Sequence, residues 1–201
     1  MSGNDPLASL RGSLLHPDEA IGMEVKGGKK EAAVLVPVYG WPDSPGLVMT
    51  ERRADLRRHA GEISFPGGRR DSGEHLIETA LREAEEEIGL EVDEVEILGA
   101  LPPVGTFVTG YKINPFVGLI NAPESLGLSP NPDEVEAILK AELTELLDTR
   151  THKRVPQSRI PLKTDTFEAE GRLIWGATAR ILSHFFELIE DPRRATGTSG
   201  S

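Results

Sequence analysis

The chain contains no cysteine among its 201 residues, which excludes disulfide bridges, thiolate nucleophiles and cysteine-bound zinc. Aromatic residues make up only 5 %, and no apolar run approaches the roughly 18 residues that a membrane span needs. The opening Met1-Ser2-Gly3-Asn4-Asp5-Pro6 is polar and lacks the apolar stretch of a secretory signal. The closing Ser199-Gly200-Ser201 is not a peroxisomal tripeptide. A cytoplasmic protein with no membrane association is therefore expected. Positive charge is also scarce: 22 Lys and Arg stand against 33 Asp and Glu, a net charge of −11. Broad binding of nucleic acid leans on basic surface that displaces counterions, so this balance argues against it. A small anionic substrate stays compatible, because a divalent metal and a local basic cluster outweigh a diffuse, screened field at short range.

What is present is a balanced globular composition, 38 % hydrophobic and 27 % charged, in a length that fits one domain with additional elements around its core. Residues 1–30 read as an N-terminal extension packing on the domain, with a helix around Asp5 to Leu14 and a glycine- and lysine-rich loop at Lys26 to Lys30. Ala32 to Tyr39 reads as a buried strand, with Gly46 to Thr50 as its partner across a Pro- and Gly-rich turn. Glu62 to Phe65, Val95 to Leu101, Tyr111 to Ile120 and Leu173 to Trp175 supply further strands, and Asp133 to Leu147 and Gly176 to Leu188 read as helices. This order predicts an α/β domain over 31–190, an α/β/α sandwich with a mixed β-sheet, followed by a flexible tail over 191–201. The sequence leaves monomer and homodimer both open.

The densest chemistry lies between Gly68 and Leu90, GRRDSGEHLIETALREAEEEIGL. Spacings of three and four place Glu83, Glu86 and Glu87 on one helical face, with Glu74 and Glu78 on preceding turns. Like charges so spaced destabilise an isolated helix by about 0.2–0.5 kcal/mol per pair. A cation that neutralises them explains the cluster, and oxygen-only ligands favour the hard ions Mg²⁺ or Mn²⁺. A solvated acidic helix is the plainer alternative, but it gives no reason for the Phe65-Pro66-Gly67-Gly68 entry, for Arg82 among the acids, or for Gly89 at the helix end. Upstream, Arg52, Arg53, Arg57, Arg58 and His59 lie within eight residues. Arginine forks match phosphate oxygens, although exposed basic runs are also common surface features.

Gly68, Glu74, Arg82, Glu83, Glu86, Glu87, Gly89 and Leu90 fall at the intervals of the pattern Gx5Ex7REUxEExGU, so the segment resembles the Nudix box. Ala84 stands at the first apolar position, where a larger aliphatic is usual. Thr50, Arg52, Arg57, Gly61, Phe65, Pro66, Gly67 and Gly68 resemble the signature of the coenzyme A diphosphatases within the Nudix hydrolases, with Val48 and Met49 in place of two leucines and Arg53 in place of a small residue. The likeness spans roughly residues 30 to 190. It implies the Nudix fold and a small-molecule substrate: metal-dependent hydrolysis of coenzyme A or its derivatives to 3′,5′-ADP and 4′-phosphopantetheine. Another nucleoside diphosphate derivative, such as ADP-ribose or NADH, is the alternative, and a non-catalytic ligand sensor is a third. Glu83, Glu86 and Glu87 are the expected Mg²⁺ or Mn²⁺ ligands, Arg82 the residue orienting a helix glutamate, and Arg52, Arg57, Gly67 and Gly68 the substrate contacts. For the general base two candidates stand open. One is a box glutamate, Glu86 or Glu83, acting through metal-bound water. The other is Glu134, which reads equally as an acid at a helix N-terminus. His59 reads as a loop histidine, and Trp175 and Phe107 as packing residues.

Overall fold

A computed structural model describes residues 6–55, 61–106, 109–122, 124–154 and 163–190. Two short helices, α1 (Pro6–Ser13) and α2 (Pro17–Gly22), precede β1 (Lys30–Tyr39) and β2 (Gly46–Arg52). Then come β3 (Ile63–Ser64), β4 (Gly67–Arg69), α3 (Leu76–Ile88), β5 (Val95–Ala100), β6 (Val104–Gly105) and β7 (Tyr111–Ile120). The chain continues through β8 (Val135–Glu142), α4 (Leu143–Thr149), β9 (Thr151–Arg154), β10 (Lys163–Ala169), β11 (Arg172–Ile174) and α5 (Gly176–Glu190). Eight strands form one mixed sheet along the path β3-β2-β1-β7-β5, with β4 on β1, β6 on β7 and β8 on β2. β1 and β7 run parallel from Lys30 beside Tyr111 to Val38 beside Leu119, and the connection between them carries α3, as a parallel pair requires a crossover. The other three strands make an antiparallel sheet, β11-β10-β9.

Alternation along the strands builds two cores. Val36 and Val38 of β1, Leu47 and Met49 of β2 and Val117 of β7 face α5, whose Leu182, Phe185 and Phe186 are fully buried. Phe167 of β10 stacks on Phe186 there, with ring centroids 5.8 Å apart. Ala33 and Leu35 of β1, Val48 of β2 and Phe116 of β7 face the other way, onto Ala80, Ala84 and Ile88 of α3. Helices thus cover both faces of the mixed sheet, as expected for an α/β/α sandwich. Ala84 has no exposed surface, so its small side chain lets α3 sit close to the sheet.

The sheet opens where the glycine loop lies. β1 and β2 pair only at Val38 with Leu47 and Tyr39 with Gly46. Beyond that point β2 takes β3 as its neighbour, through Thr50 with Ser64, while β1 takes β4, through Ala33 with Gly68 and Val34 with Gly67. Phe65 and Pro66 bridge the gap, and the Pro66 carbonyl accepts from the Leu35 N–H at 2.9 Å.

One expected helix is not formed. Asp133 to Leu147 splits into β8 and α4, because Val135, Leu139 and Ala141 are buried on one face and the segment pairs with β2 from Gly46–Glu142 to Arg52–Val135. Pairing along that edge outweighs the helix preference of its Glu, Ala, Leu and Lys residues. The expected tail at 191–201 lies outside the described residues. No described helix is long and apolar enough to cross a membrane.

Candidate active site

α3 starts after His75, whose backbone N–H donates to Glu78 Oε2 at 2.8 Å, half of a capping box. It ends at Gly89, in the left-handed conformation at φ +67°, whose N–H donates to the Ala84 and Glu85 carbonyls. Glu74 lies two residues before the helix and not on one of its turns, a correction to the spacing argument. It is nevertheless drawn in by Arg82. The Arg82 guanidinium donates to Glu74 Oε1 at 2.9 Å, to Glu83 Oε1 at 2.8 Å, to Glu86 Oε2 at 3.2 Å and to the Arg69 carbonyl at 3.2 Å. The Arg82 hydrogen bonds first, with the Thr79 hydroxyl and the Asp71 N–H, hold the Glu74 carboxyl down at about 2 against the effect of burial. One arginine therefore gathers the carboxylates that the sequence distributes along thirteen residues, and fixes the glycine loop to the helix.

The two glycines are required for close approach. A Cβ on Gly68 would collide with the Glu83 carboxylate, and one on Gly67 with the Ala33 carbonyl and Val34. Glu83 is pushed up by burial, against the pull of Arg82. Glu87 is buried, at 5 % exposure. Its carboxyl is raised to about 8 by burial first and by Glu83 next, with Arg52 and a backbone hydrogen bond from Gly67 opposing. Its Oε2 is buried with no hydrogen-bond partner. Glu86 remains exposed, with Arg82 as its ion-pair partner.

Among the described residues no three acidic or histidine side chains stand close enough together to hold a metal ion, and Arg82 pairs with Glu83 and Glu86. The donor set still fits a hard cation: oxygen ligands only, like charges crowded together, and one buried carboxylate oxygen with nothing to bind.

The second wall of the site comes from the segment before β8. Glu134 Oε2 lies 3.6 Å from Arg52 Nη2, and its charge raises both Glu83 and Glu87. Its alternative role as an acid at a helix N-terminus is removed, since a strand follows it. Asn131, which spacing did not single out, seats this segment on α3. Its N–H donates to the Glu87 carbonyl at 2.9 Å and its side-chain amide to the Glu86 carbonyl at 3.2 Å. Its Oδ1 accepts from the Asp133 N–H at 3.0 Å, an Asx turn that the Asn-Pro-Asp order signals. Arg53 is taken up by Asp55 and Pro132. Its fork grips Asp55 at 2.9 and 2.7 Å and also donates to the Pro132 carbonyl. Arg57, His59 and Phe107 lie outside the described residues. Trp175 is partly buried.

A mixed sheet between helices, opened over a glycine loop and a glutamate helix, is the fold of the Nudix hydrolases. The NUDIX domain family matches residues 29–161, and the chain belongs to the Nudix hydrolases. It is 37 % identical over 166 residues to a protein of Pectobacterium atrosepticum named "Uncharacterized Nudix hydrolase NudL", covering 81 % of this chain and 84 % of that protein. It is 41 % identical over 161 residues to the NudL of Salmonella paratyphi B, covering 77 % and 80 %. Among solved structures, a Nudix hydrolase from M. smegmatis, RenU, superposes with a TM-score of 0.50 at 20 % identity over 87 % of this chain and 89 % of that one. One from Alicyclobacillus acidocaldarius gives 0.50 at 19 % identity over 87 % and 98 %. Both share the fold.

Proposed function

We propose that the protein hydrolyses the pyrophosphate of coenzyme A or its derivatives to 3′,5′-ADP and 4′-phosphopantetheine, or the acylated form of the latter. The observation that carries this reading is the meeting of the orphaned Glu87 carboxylate oxygen with Arg52, Glu134 and the glycine loop at one opening of the sheet. The residues between Thr50 and Gly68 that resemble the coenzyme A diphosphatase signature in sequence direct it to this substrate.

Glu83, Glu86 and Glu87 would hold Mg²⁺ or Mn²⁺, which when bound neutralises pyrophosphate charge and makes water a better nucleophile at neutral pH. Arg82 keeps Glu83 and Glu86 turned to one side of the helix. Gly67 and Gly68 leave room for a phosphate next to the backbone. Arg52 faces the same opening and pairs with an anionic oxygen as readily as with Glu134. The water oxygen bonds to phosphorus in line, the bridging P–O bond breaks, and the leaving phosphate oxygen carries away the charge. The water proton passes to a carboxylate, Glu134 from across the opening or Glu86 from the helix.

Chromatographic product analysis with coenzyme A and Mg²⁺ or Mn²⁺, in water labelled with heavy oxygen, tests this reading. It expects 3′,5′-ADP and 4′-phosphopantetheine, with the label on the phosphorus attacked. Intact coenzyme A alongside cleaved ADP-ribose or NADH would transfer the activity to another nucleoside diphosphate derivative.

A further inference from the structure

In a chain of net charge −11, several of the described cations have no acidic partner, and four of these lie together. Arg11, Arg52, Arg53, Arg82, Lys112, Lys140, Arg150 and Arg172 each pair with a carboxylate. Lys30 and Arg69 do not, among the described residues. Both are exposed, and both gather at the Tyr111 ring, with Lys30 Nζ at 5.8 Å and Arg69 Cζ at 5.5 Å from its centroid. Lys29 and Arg70, also exposed and free of described ion pairs, flank them in sequence.

The ring stands on a fixed backbone. The Tyr111 N–H donates to Thr106 Oγ1 at 2.8 Å, and its carbonyl accepts from the Thr106 N–H at 2.8 Å. The N–H groups of Lys29 and Lys30 both donate to the Gly110 carbonyl, at 2.9 and 3.1 Å. Gly28 touches the Tyr111 carbonyl and the Lys112 backbone, where a Cβ would not fit. The loop of lysines and glycines before β1 is thereby pinned beside the ring.

The group adjoins the candidate active site. Arg69 follows Gly68, the residue against the Glu83 carboxylate, at the single-residue spacing of about 3.8 Å between Cα atoms. Adjacent residues of a strand point to opposite faces, and among the described residues β4 pairs only with β1. A ligand held at the glycine loop therefore reaches Arg69 by passing the outer edge of β4.

We propose that Lys30, Arg69 and the Tyr111 ring form a phosphomonoester subsite that takes the 3′-phosphate of the substrate's ribose. Guanidinium and ammonium supply charge-assisted hydrogen bonds to the dianion, and the ring holds the two cations together without neutralising them. This rests on the coenzyme A reading, in which 3′-phosphate and pyrophosphate are carried by one ribose. The subsite would distinguish coenzyme A from the same molecule lacking that phosphate.

Calorimetric titration of the full chain with 3′,5′-ADP and with 5′-AMP tests the subsite independently of turnover. The wild-type protein is expected to prefer 3′,5′-ADP by about tenfold or more. The Lys30→Gln/Arg69→Gln variant is expected to reduce that preference to about twofold or less. In parallel, its KM for coenzyme A should rise about tenfold more than its KM for dephospho-coenzyme A. A Lys140→Gln/Lys153→Gln control, equal in charge, should keep the wild-type preference. A preference that survives in the Lys30/Arg69 variant overturns the subsite while leaving coenzyme A hydrolysis standing. A preference lost in that variant, with coenzyme A left uncleaved by the wild-type protein, supports the subsite and overturns the proposed reaction. No preference in the wild-type protein overturns the subsite.

Discussion

Asp165 on β10 is partly shielded, with 22 % of its side chain exposed, Glu87 on α3 is buried at 5 % exposure, and the structure treats the two carboxylates differently. At Asp165 burial pushes the carboxyl up, but Ser183 Oγ at 2.7 Å, His152 Nδ1 at 2.6 Å and Arg150 Nη2 at 3.0 Å together bring it down to about 2. At Glu87 burial acts with the neighbouring Glu83 and Glu134, and the carboxyl rises to about 8 with one oxygen unpartnered. The first cluster is electrostatically complete and ties β9, β10 and α5 together. The second is incomplete in the protein alone, the condition under which a buried acid signals a binding site. Loss of water pushes both carboxyls upward, more strongly at the buried Glu87, and the supply of partners separates them further.

Replacing Glu87 with Gln should break the comparison most visibly. Turnover is expected to fall by about a thousandfold or more, the scale of losing a ligand to a charge-neutralising metal. The melting temperature in metal-free buffer should stay level or rise, because the amide replaces a buried carboxyl whose ionised form the fold does not compensate. Steady-state kinetics and thermal melts on the same preparations check both halves. Retained activity would place Glu87 with Asp165, as a residue of the fold.

Asp165→Ala should behave in the opposite sense, with stability falling on the order of 2 kcal/mol as three donors lose a charged acceptor while turnover is unaffected. The pH dependence has a defined sign. The folded-state carboxyl lies below its ordinary value of 3.8, so its stabilising contribution is full above that value. The contribution is lost as pH falls through about 2. Denaturant titrations should show the wild-type advantage over Asp165→Ala shrinking from pH 5 toward pH 2. An advantage independent of pH would mean that the cluster acts by packing and not by charge.

The same contrast explains what could be read from sequence. The glycine loop, Arg82 and the glutamates are neighbours along the chain, and helix spacing alone places Glu83, Glu86 and Glu87 on one face. Gly68 and Glu83 were both visible, but their direct contact depends on β4 lying against β1, a pairing that no short-range pattern encodes. Asp133 to Leu147 misled because its charged and aliphatic residues suit a helix, whereas the free edge of β2 decides its conformation. Asn131 and Arg53 work through carbonyls of distant segments, Glu86 and Pro132 respectively, and carbonyls leave no mark in a sequence. Lys30 and Tyr111 become neighbours only through the parallel pairing of β1 and β7.

Arg53→Ser offers the smallest effect and the sharpest view of the Glu134 wall. The substitution installs the small residue of the coenzyme A diphosphatase pattern. It releases both the Asp55 fork and the Pro132 carbonyl, while the backbone bond from the Arg53 N–H to the Glu134 carbonyl, at 3.0 Å, needs no side chain. Exposed ion pairs contribute about 0–1 kcal/mol, so the melting temperature should fall by a few degrees at most. Hydrogen exchange at Asp133 and Glu134 should quicken as the segment between Asn131 and β8 loosens. With Glu134 as the general base, kcat should fall about two- to fivefold with little change in KM, the pattern of a displaced proton acceptor. With Glu86 in that role, exchange at Glu134 would quicken and kcat would hold, since Arg82 and not Arg53 fixes Glu86. Arg53→Lys should resemble Ser more than Arg in exchange, because an ammonium does not reproduce the fork that spans both oxygens of Asp55.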